Sequence, residues 1–118
     1  MKIWVHADTT LGLFRFDDIF GSGAGQVPLG STISSATLSL QTGNTTHDGT
    51  DANSWEAVYQ LLQAFDADAD TWNNSFGGDG VDTDDVDAAS VYADRRPYLV
   101  INDDDLVPFD VTSILQNW

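Results

Sequence analysis

The stretch "SATLSLQT", residues 35–42, decides the fold class of this chain. Its apolar residues alternate with hydroxyl and amide residues, which is the period of a strand that buries one face. We therefore expect Ala36, Leu38 and Leu40 to face a core. The residues between them are expected to face solvent, and these are Ser35, Thr37, Ser39 and Gln41.

The same alternation occurs in "LGLFRF", residues 11–16, and it predicts a second strand. One face of this strand carries Leu11, Leu13 and Arg15, and the other carries Phe14 and Phe16. Further short strands are predicted where Asp, Asn or Pro bound an apolar run. These runs are "KIWVH" (2–6), "PYLVIN" (97–102) and "LVPFDV" (106–111).

Two connecting segments complete the predicted architecture. "GSGAGQVPLGST", residues 21–32, is a Gly-rich loop that lacks the dinucleotide-binding spacing. "DVTSILQNW", residues 110–118, predicts a short helical turn capped by Asp110 or Thr112. Its inward-facing residues are expected to be Ile114, Leu115 and Trp118. Short strands, Gly-rich turns and one terminal helical turn together indicate an all-β sandwich.

The segment "SWEAVYQLLQAF", residues 54–65, fits two periods at once. Trp55, Val58, Tyr59 and Leu62 have helical spacing, whereas Trp55, Ala57, Tyr59 and Leu61 alternate. The local pattern leans to a helix, and a strand stays open as the alternative.

Composition excludes several classes of function. The chain has 118 residues and a formal charge of −15, with 19 acidic residues against four basic ones. Because a phosphate-binding face needs a basic stripe, neither nucleic acid nor an anionic membrane surface is an expected partner. There is no cysteine, so disulfides and thiolate metal sites are impossible. No apolar run approaches the roughly 20 residues of a membrane span.

The acidic charge is concentrated in residues 65–87, which hold eight aspartates and no basic residue. Either a bound cation, high salt or loose spacing must relieve the repulsion. We expect a long acidic loop at one end of the sandwich, pinned by Trp72 and Phe76. Its spacing begins like a calcium loop, but Thr71 and Gly77 stand where that loop needs Gly and Glu. Ca²⁺ and salt screening both stay open, and the candidate ligands are Asp66, Asp68, Asp70, Asp79, Asp82 and Asp84.

The tryptophans and histidines of the chain bear on glycan binding and catalysis. Sugar rings stack on exposed aromatic faces while nearby polar groups bond their hydroxyls. The candidate contacts are Trp72, Asn73, Trp55 and Trp4, although core packing is the commoner fate of a tryptophan. His6 and His47 lie in separate segments with no paired nucleophile, so we expect no enzyme.

Three segments together resemble a known family. They are "LGLFRFDDIFGSGAGQVPLGSTISSATLSL" (11–40), "DTWNNSFGGDGV" (70–81) and "VPFDVTSILQNW" (107–118). The chain resembles a DNRLRE-type domain, an extracellular bacterial and archaeal β-sandwich grouped with carbohydrate-binding modules and related to the disaggregatase repeat. The matching positions are Arg15–Asp17, Gly30–Leu40, Trp72–Asn73 and Phe109–Thr112 with Trp118.

The resemblance implies an antiparallel jelly-roll β-sandwich with a short C-terminal helical turn, in which residues 55–63 form a strand. It implies a non-catalytic accessory module, extracellular or at the cell surface, whose partner is a polysaccharide or cell-surface glycan. Members normally carry further strands at both ends, so residues 1–118 are expected to be a single domain from a mature piece or fragment. This piece is expected to lack one or two of the terminal strands that family members carry.

Two departures from the family shape the expected function. A missing strand leaves an unpaired edge near a terminus, which invites a strand from another copy. The alternative function is therefore a self-assembling subunit of a surface layer or extracellular filament. The basic residues with which relatives hold acidic polysaccharide are absent, so binding of acidic glycans is not carried over.

Overall fold

The fold is strand-rich with little helix, as the alternating patterns predict. A computed structural model describes residues 2–7, 10–41, 55–71, 74–97 and 106–118. A 3₁₀ turn at Phe76–Gly78 and a short helix α1 at Thr112–Gln116 are the helical elements of these residues. The six strands are β1 (Lys2–Ala7), β2 (Thr10–Arg15), β3 (Thr37–Gln41), β4 (Trp55–Gln60), β5 (Asp94–Pro97) and β6 (Leu106–Asp110).

The strands form two small antiparallel sheets. The larger sheet has the order β2-β1-β4-β5, and the smaller one pairs β3 with β6. Within the larger sheet, Val5 lies opposite Gly12 on one side and opposite Val58 on the other. The coarse prediction of an antiparallel all-β chain with a C-terminal helical turn is confirmed.

One hydrophobic cluster joins the two sheets. Leu38 from β3 and Phe109 from β6 pack with Val58 from β4, and they are joined by Val111, which precedes α1, and by Ile114 within α1. Phe109 and Val58 are fully buried. The alternation predicted for β3 is confirmed, because Leu38 is buried while its neighbours along the strand, Thr37 and Ser39, are exposed.

A second cluster covers the opposite face of the larger sheet. Leu13 precedes Phe14 on β2, and Tyr59 follows Val58 on β4. Because Phe14 and Val58 belong to the first cluster and successive side chains of a strand point to opposite faces, Leu13 and Tyr59 lie on the other face. The residues that pack there come mainly from the acidic loop and its flanks, and they are Leu61, Phe65, Phe76, Val81 and Ala88. The acidic loop therefore lies against a sheet face, and the expectation that it sits at one end of the sandwich is wrong. Phe76 is buried as predicted, whereas Trp72 lies outside the described residues.

The ambiguous segment forms a strand at Trp55–Gln60, so the helical lean of its local pattern is wrong, and the strand implied by the resemblance for residues 55–63 is confirmed over these six residues. β4 pairs with β1 on one side and with β5 on the other. Both of its faces are covered at its centre, where the adjacent residues Ala57 and Val58 are 6% and 0% exposed. A strand buried on two faces carries apolar residues at consecutive positions, which imitates the spacing of a helix.

Near the C-terminus neither predicted cap residue is the N-cap of α1, because Val111 holds that position without a side-chain cap hydrogen bond, and one predicted core residue is exposed. The carboxylate of Asp110 accepts a hydrogen bond from the N–H of Thr112 over 2.9 Å at the start of α1. The Thr112 hydroxyl instead accepts from the N–H of Ala36 over 2.9 Å. Ile114 is buried as expected, but Trp118 is 55% exposed because α1 ends at Gln116 and the helical spacing no longer applies.

Among the described strands, β1 is flanked on both sides, while β2 and β6, near the two termini, each have one edge with no backbone-paired strand. β1 lies between β2 and β4. β6 pairs with β3 and faces β5, where Arg96 Nε donates to the carbonyl of Pro108 over 3.0 Å. Of the six strands described, β2, β3, β5 and β6 each have one edge without a backbone-paired strand, and the open edges of β5 and β6 face each other.

Two further predictions concern the strand "PYLVIN" and membrane-spanning segments. Most of the predicted strand "PYLVIN" lies outside the described residues, and β5 ends where that segment begins, at Pro97. No helix of the described segments has the length and apolar character needed to cross a membrane.

Candidate functional site

A cluster of partly exposed aromatic side chains lies where β4 meets β5. The guanidinium carbon of Arg95 lies 4.2 Å from the ring centroid of Trp55 and 4.9 Å from that of Tyr92. The Tyr92 ring in turn meets Tyr59 edge-on, with centroids 6.3 Å apart and planes at 90°. We call Trp55, Tyr59, Tyr92 and Arg95 the Arg95 surface.

Strand register explains why these side chains meet. Trp55 and Tyr59 are two alternation steps apart on β4 and share one face with Ala57 between them. Ala57 lies opposite Arg95, and Trp55 lies opposite Pro97, so Arg95 is the diagonal neighbour of both aromatic residues. Diagonal neighbours across a strand pair are within reach of long side chains.

The Arg95 surface is open to solvent and carries an available cation. Trp55 is 42% exposed and Tyr92 is 39% exposed. The two ion pairs found in the described part of the chain join Arg15 to Asp17 and Arg96 to Asp94, so neither engages Arg95. A guanidinium held over aromatic rings keeps its N–H donors for a ligand while the rings restrict its motion.

Of the four predicted glycan contacts, Trp55 belongs to the Arg95 surface. Trp4 lies in β1 at the register position between Leu13 and Tyr59. Trp72 and Asn73 lie outside the described residues. The sequence predictions missed Tyr92 and Arg95. The adjacent bases Arg95 and Arg96, in a chain with four basic residues, were the signal that could have found them.

The aspartates proposed as calcium ligands bond backbone groups of their own loop. Asp66 Oδ1 accepts from the N–H of Asp68 over 3.0 Å, and Asp70 Oδ2 accepts from the N–H of Asp66 over 2.6 Å. Asp84 Oδ1 accepts from the N–H groups of Val86 and Asp87 over 2.8 Å and 3.0 Å. These are turn-forming bonds in which aspartate satisfies nearby backbone donors.

The same hydrogen bonds favour the ionised carboxylates. The N–H of Asp66 lowers the pKa of Asp70, helped by the Ser75 hydroxyl. The N–H groups of Asp87 and Val86 lower the pKa of Asp84. The N–H and hydroxyl of Ser90 lower the pKa of Asp85 in the same way. The hydrogen bonds that organise the loop therefore also favour the ionised form of these three carboxylates.

The remaining candidate ligands, Asp79 and Asp82, are exposed. In the described segments no three carboxylate or imidazole groups gather as a metal site requires. Asp87 is the buried acid of this loop, at 6% exposure, and it accepts hydrogen bonds from the Gln63 amide and from the N–H of Asp82. Calcium binding at the six candidate aspartates stays a prediction.

Comparisons of the chain with protein-family models, curated proteins and solved structures give no match. The resemblance to DNRLRE-type domains therefore stays a hypothesis that rests on the sequence motifs alone.

Proposed function

We propose that this chain is a non-catalytic binding module, extracellular or at the cell surface, that holds a neutral polysaccharide or cell-surface glycan on the Arg95 surface. The observation that carries the proposal is the guanidinium of Arg95 between the exposed rings of Trp55 and Tyr92. The resemblance to DNRLRE-type domains supports this function. The same resemblance leads us to propose that the two sheets belong to a jelly-roll sandwich.

The chemistry of the Arg95 surface suits a glycan. The apolar C–H faces of sugar rings pack on aromatic rings, and a guanidinium donates to ring hydroxyls. Two exposed rings beside one guanidinium offer both stacking surface and hydrogen-bond donors to a sugar polymer. The surrounding charge of −15 repels acidic polymers, so the glycan is expected to be neutral.

Binding to soluble neutral polysaccharides tests the proposal. Affinity electrophoresis in gels that contain β-glucan, xylan or mannan should retard the native protein in at least one gel. Trp55→Ala and Tyr92→Ala should each weaken that retardation about tenfold or more, as expected for loss of an aromatic anchor. Val91→Ala is the matched control, because Val91 is 73% exposed next to Tyr92 and contributes no ring.

Two results would reject this function. If none of the neutral polysaccharides retards the native protein, the glycan proposal fails. If Trp55→Ala and Tyr92→Ala are folded and still bind like the native protein, the Arg95 surface is not the contact.

A second candidate function, self-assembly through a strand edge, is favoured by the geometry of β3. The carbonyl of Pro108 and the N–H of Asp110 point from β6 toward β5. Their partners in the register, Ser39 and Thr37, therefore direct their backbone groups away from β6, toward the outer edge of β3. In the described part of the chain that edge has no paired strand, so a strand of another copy could add there.

Light scattering at rising protein concentration, with and without Ca²⁺, tests self-assembly. Ser39→Pro removes an outward N–H while leaving the bonds between β3 and β6 in place, so it should abolish growth of the particles. A monomer at every concentration would reject the assembly proposal, whereas it would leave glycan binding unaffected.

A further inference from the structure

A concave pocket lies between the Gly-rich loop that follows β2 and the C-terminal turn. Its volume is about 620 Å³, which lies within the range of small-molecule sites. Its lining includes Phe16, Phe20, Leu29 and Trp118 together with Asp17 and Asp18. We call it the Trp118 pocket. It shares no residue with the Arg95 surface.

Aromatic rings form a corner of the pocket. The rings of Phe20 and Trp118 stand nearly perpendicular, with centroids 5.9 Å apart and planes at 82°. Phe16 adds a third ring to the lining. Leu29 and Trp118 are 81% and 55% exposed, so the pocket presents open apolar surface. Aromatic faces carry negative potential and attract cations.

The loop that forms one wall is held in place by its own hydrogen bonds. The Gln26 amide donates to the carbonyl of Asp18 over 3.0 Å and accepts from the N–H of Gly23 over 2.7 Å. The N–H of Val27 donates to the carbonyl of Ile19 over 2.8 Å. The pocket wall is therefore preorganised, which lowers the cost of binding.

Asp18, which lines the pocket, has a left-handed backbone conformation. Asp18 has a φ of 60°, in the left-handed region that few residues other than glycine adopt. Aspartate adopts this region more readily than most residues other than glycine, and the bond from the Gln26 amide to the Asp18 carbonyl holds it here.

Negative charge lies beside the aromatic corner. Asp17 forms an ion pair with Arg15, in which the Nε–Oδ2 distance is 3.1 Å. The carboxylate of Asp18 accepts no hydrogen bond and forms no ion pair among the described residues. It lines the pocket in a chain whose net charge is −15.

A hard metal ion does not suit this lining, because Ca²⁺ requires six or more oxygen ligands. An organic cation with an apolar outer shell does suit it. We propose that the Trp118 pocket binds a quaternary ammonium group, with Trp118 and Phe20 around the methyl groups and Asp18 as the counter-charge. This site is independent of the proposed glycan contact.

Isothermal titration with choline chloride tests the proposal, and 3,3-dimethylbutan-1-ol is the matched ligand. This alcohol has the shape of choline without the charge. We expect choline to bind about tenfold more tightly than the alcohol, the ratio typical of a cation–π contribution. Phosphocholine and glycine betaine carry an anion near the ammonium, so Asp18 should make both weaker ligands than choline.

Variants separate the aromatic and electrostatic contributions. Trp118→Ala should weaken choline binding about tenfold or more, and Trp118→Phe should restore part of the loss. Asp18→Asn should weaken choline but not the alcohol, and Asn tolerates the left-handed backbone at this position. Trp55→Ala, on the Arg95 surface, should leave choline binding unchanged. Choline that binds no better than the alcohol, or that binds equally to folded Trp118→Ala, would overturn the proposal.

Discussion

Asp94 Oδ2 accepts a hydrogen bond from the backbone N–H of Asp110 over 2.9 Å, and this bond joins the edge of one sheet to the edge of the other. The same carboxylate oxygen lies 2.8 Å from Arg96 Nη2, while Arg96 Nε bonds the carbonyl of Pro108. Side chains of β5 thus satisfy the outward backbone groups of β6. Pro108, which has no N–H, is tolerated because its nitrogen faces away from β3.

Loss of the Asp94 carboxylate should therefore destabilise the seam between the sheets. We expect Asp94→Ala to lower the free energy of unfolding by about 1–3 kcal/mol, because the N–H of Asp110 and the guanidinium of Arg96 lose their acceptor. Urea denaturation measures this change. Asp68→Ala removes the same charge from an exposed side chain and should be nearly neutral. Equal effects of the two variants would contradict the role assigned to Asp94.

The acidic loop should be anchored by Phe76. This side chain is 8% exposed and packs with Leu61, Val81 and Ala88 on the outer face of the larger sheet. We expect Phe76→Ala to cost about 3–5 kcal/mol, the usual range for removing a buried phenylalanine. Val86→Ala, in the same loop at 60% exposure, is the control and should change the melting temperature little. A Phe76→Ala protein as stable as the control would show that the loop does not depend on this contact.

Stability should depend on the charge of Asp84 in a predictable direction. Its pKa is lowered from 3.8 by the N–H groups of Asp87 and Val86, so the ionised form stabilises the fold. That contribution is complete above the unfolded-state pKa and disappears as the pH falls through the lower folded-state pKa. The melting temperatures of the native protein and Asp84→Asn should differ at pH 6 and converge at pH values below 3.8. A difference that stays constant on acidification would contradict this assignment.

Salt should stabilise the protein, because the chain has a charge of −15 and most aspartates within the described residues are exposed. We expect the melting temperature to rise between about 0.05 M and 1 M NaCl, as the Debye length falls from more than 10 Å to about 3 Å. If salt screening alone relieves the repulsion, exchanging Ca²⁺ for EDTA at constant ionic strength should have little effect. A Ca²⁺ ion bound within residues 66–87 would instead give a drop in melting temperature with EDTA that NaCl does not restore.

The accuracy of the sequence predictions follows the number of buried faces on each strand. β3 buries one face, so Leu38 between exposed Thr37 and Ser39 leaves a clear period of two. β4 is covered on both faces, and consecutive buried residues Ala57 and Val58 erase that period. Its partners, β1 and β5, are distant in sequence and are not visible in any local window.

The candidate sites were less predictable than the strands for a related reason. Trp55 could be proposed from its residue type, but its contact with Arg95 depends on the register between β4 and β5. Trp118 was expected in the core by extending helical spacing past Gln116, where α1 ends. Its contact with Phe20 joins opposite ends of the chain, and no sequence pattern reports such a pair.

The central position of β1 sets the order in which a nascent chain can assemble. β1 and β2 can form a hairpin as soon as Arg15 has left the ribosome. The other side of β1 must then wait for β4, which begins at Trp55. Since such non-local pairing slows folding, the half-finished hairpin passes through a vulnerable interval in which chaperones or aggregation compete for it.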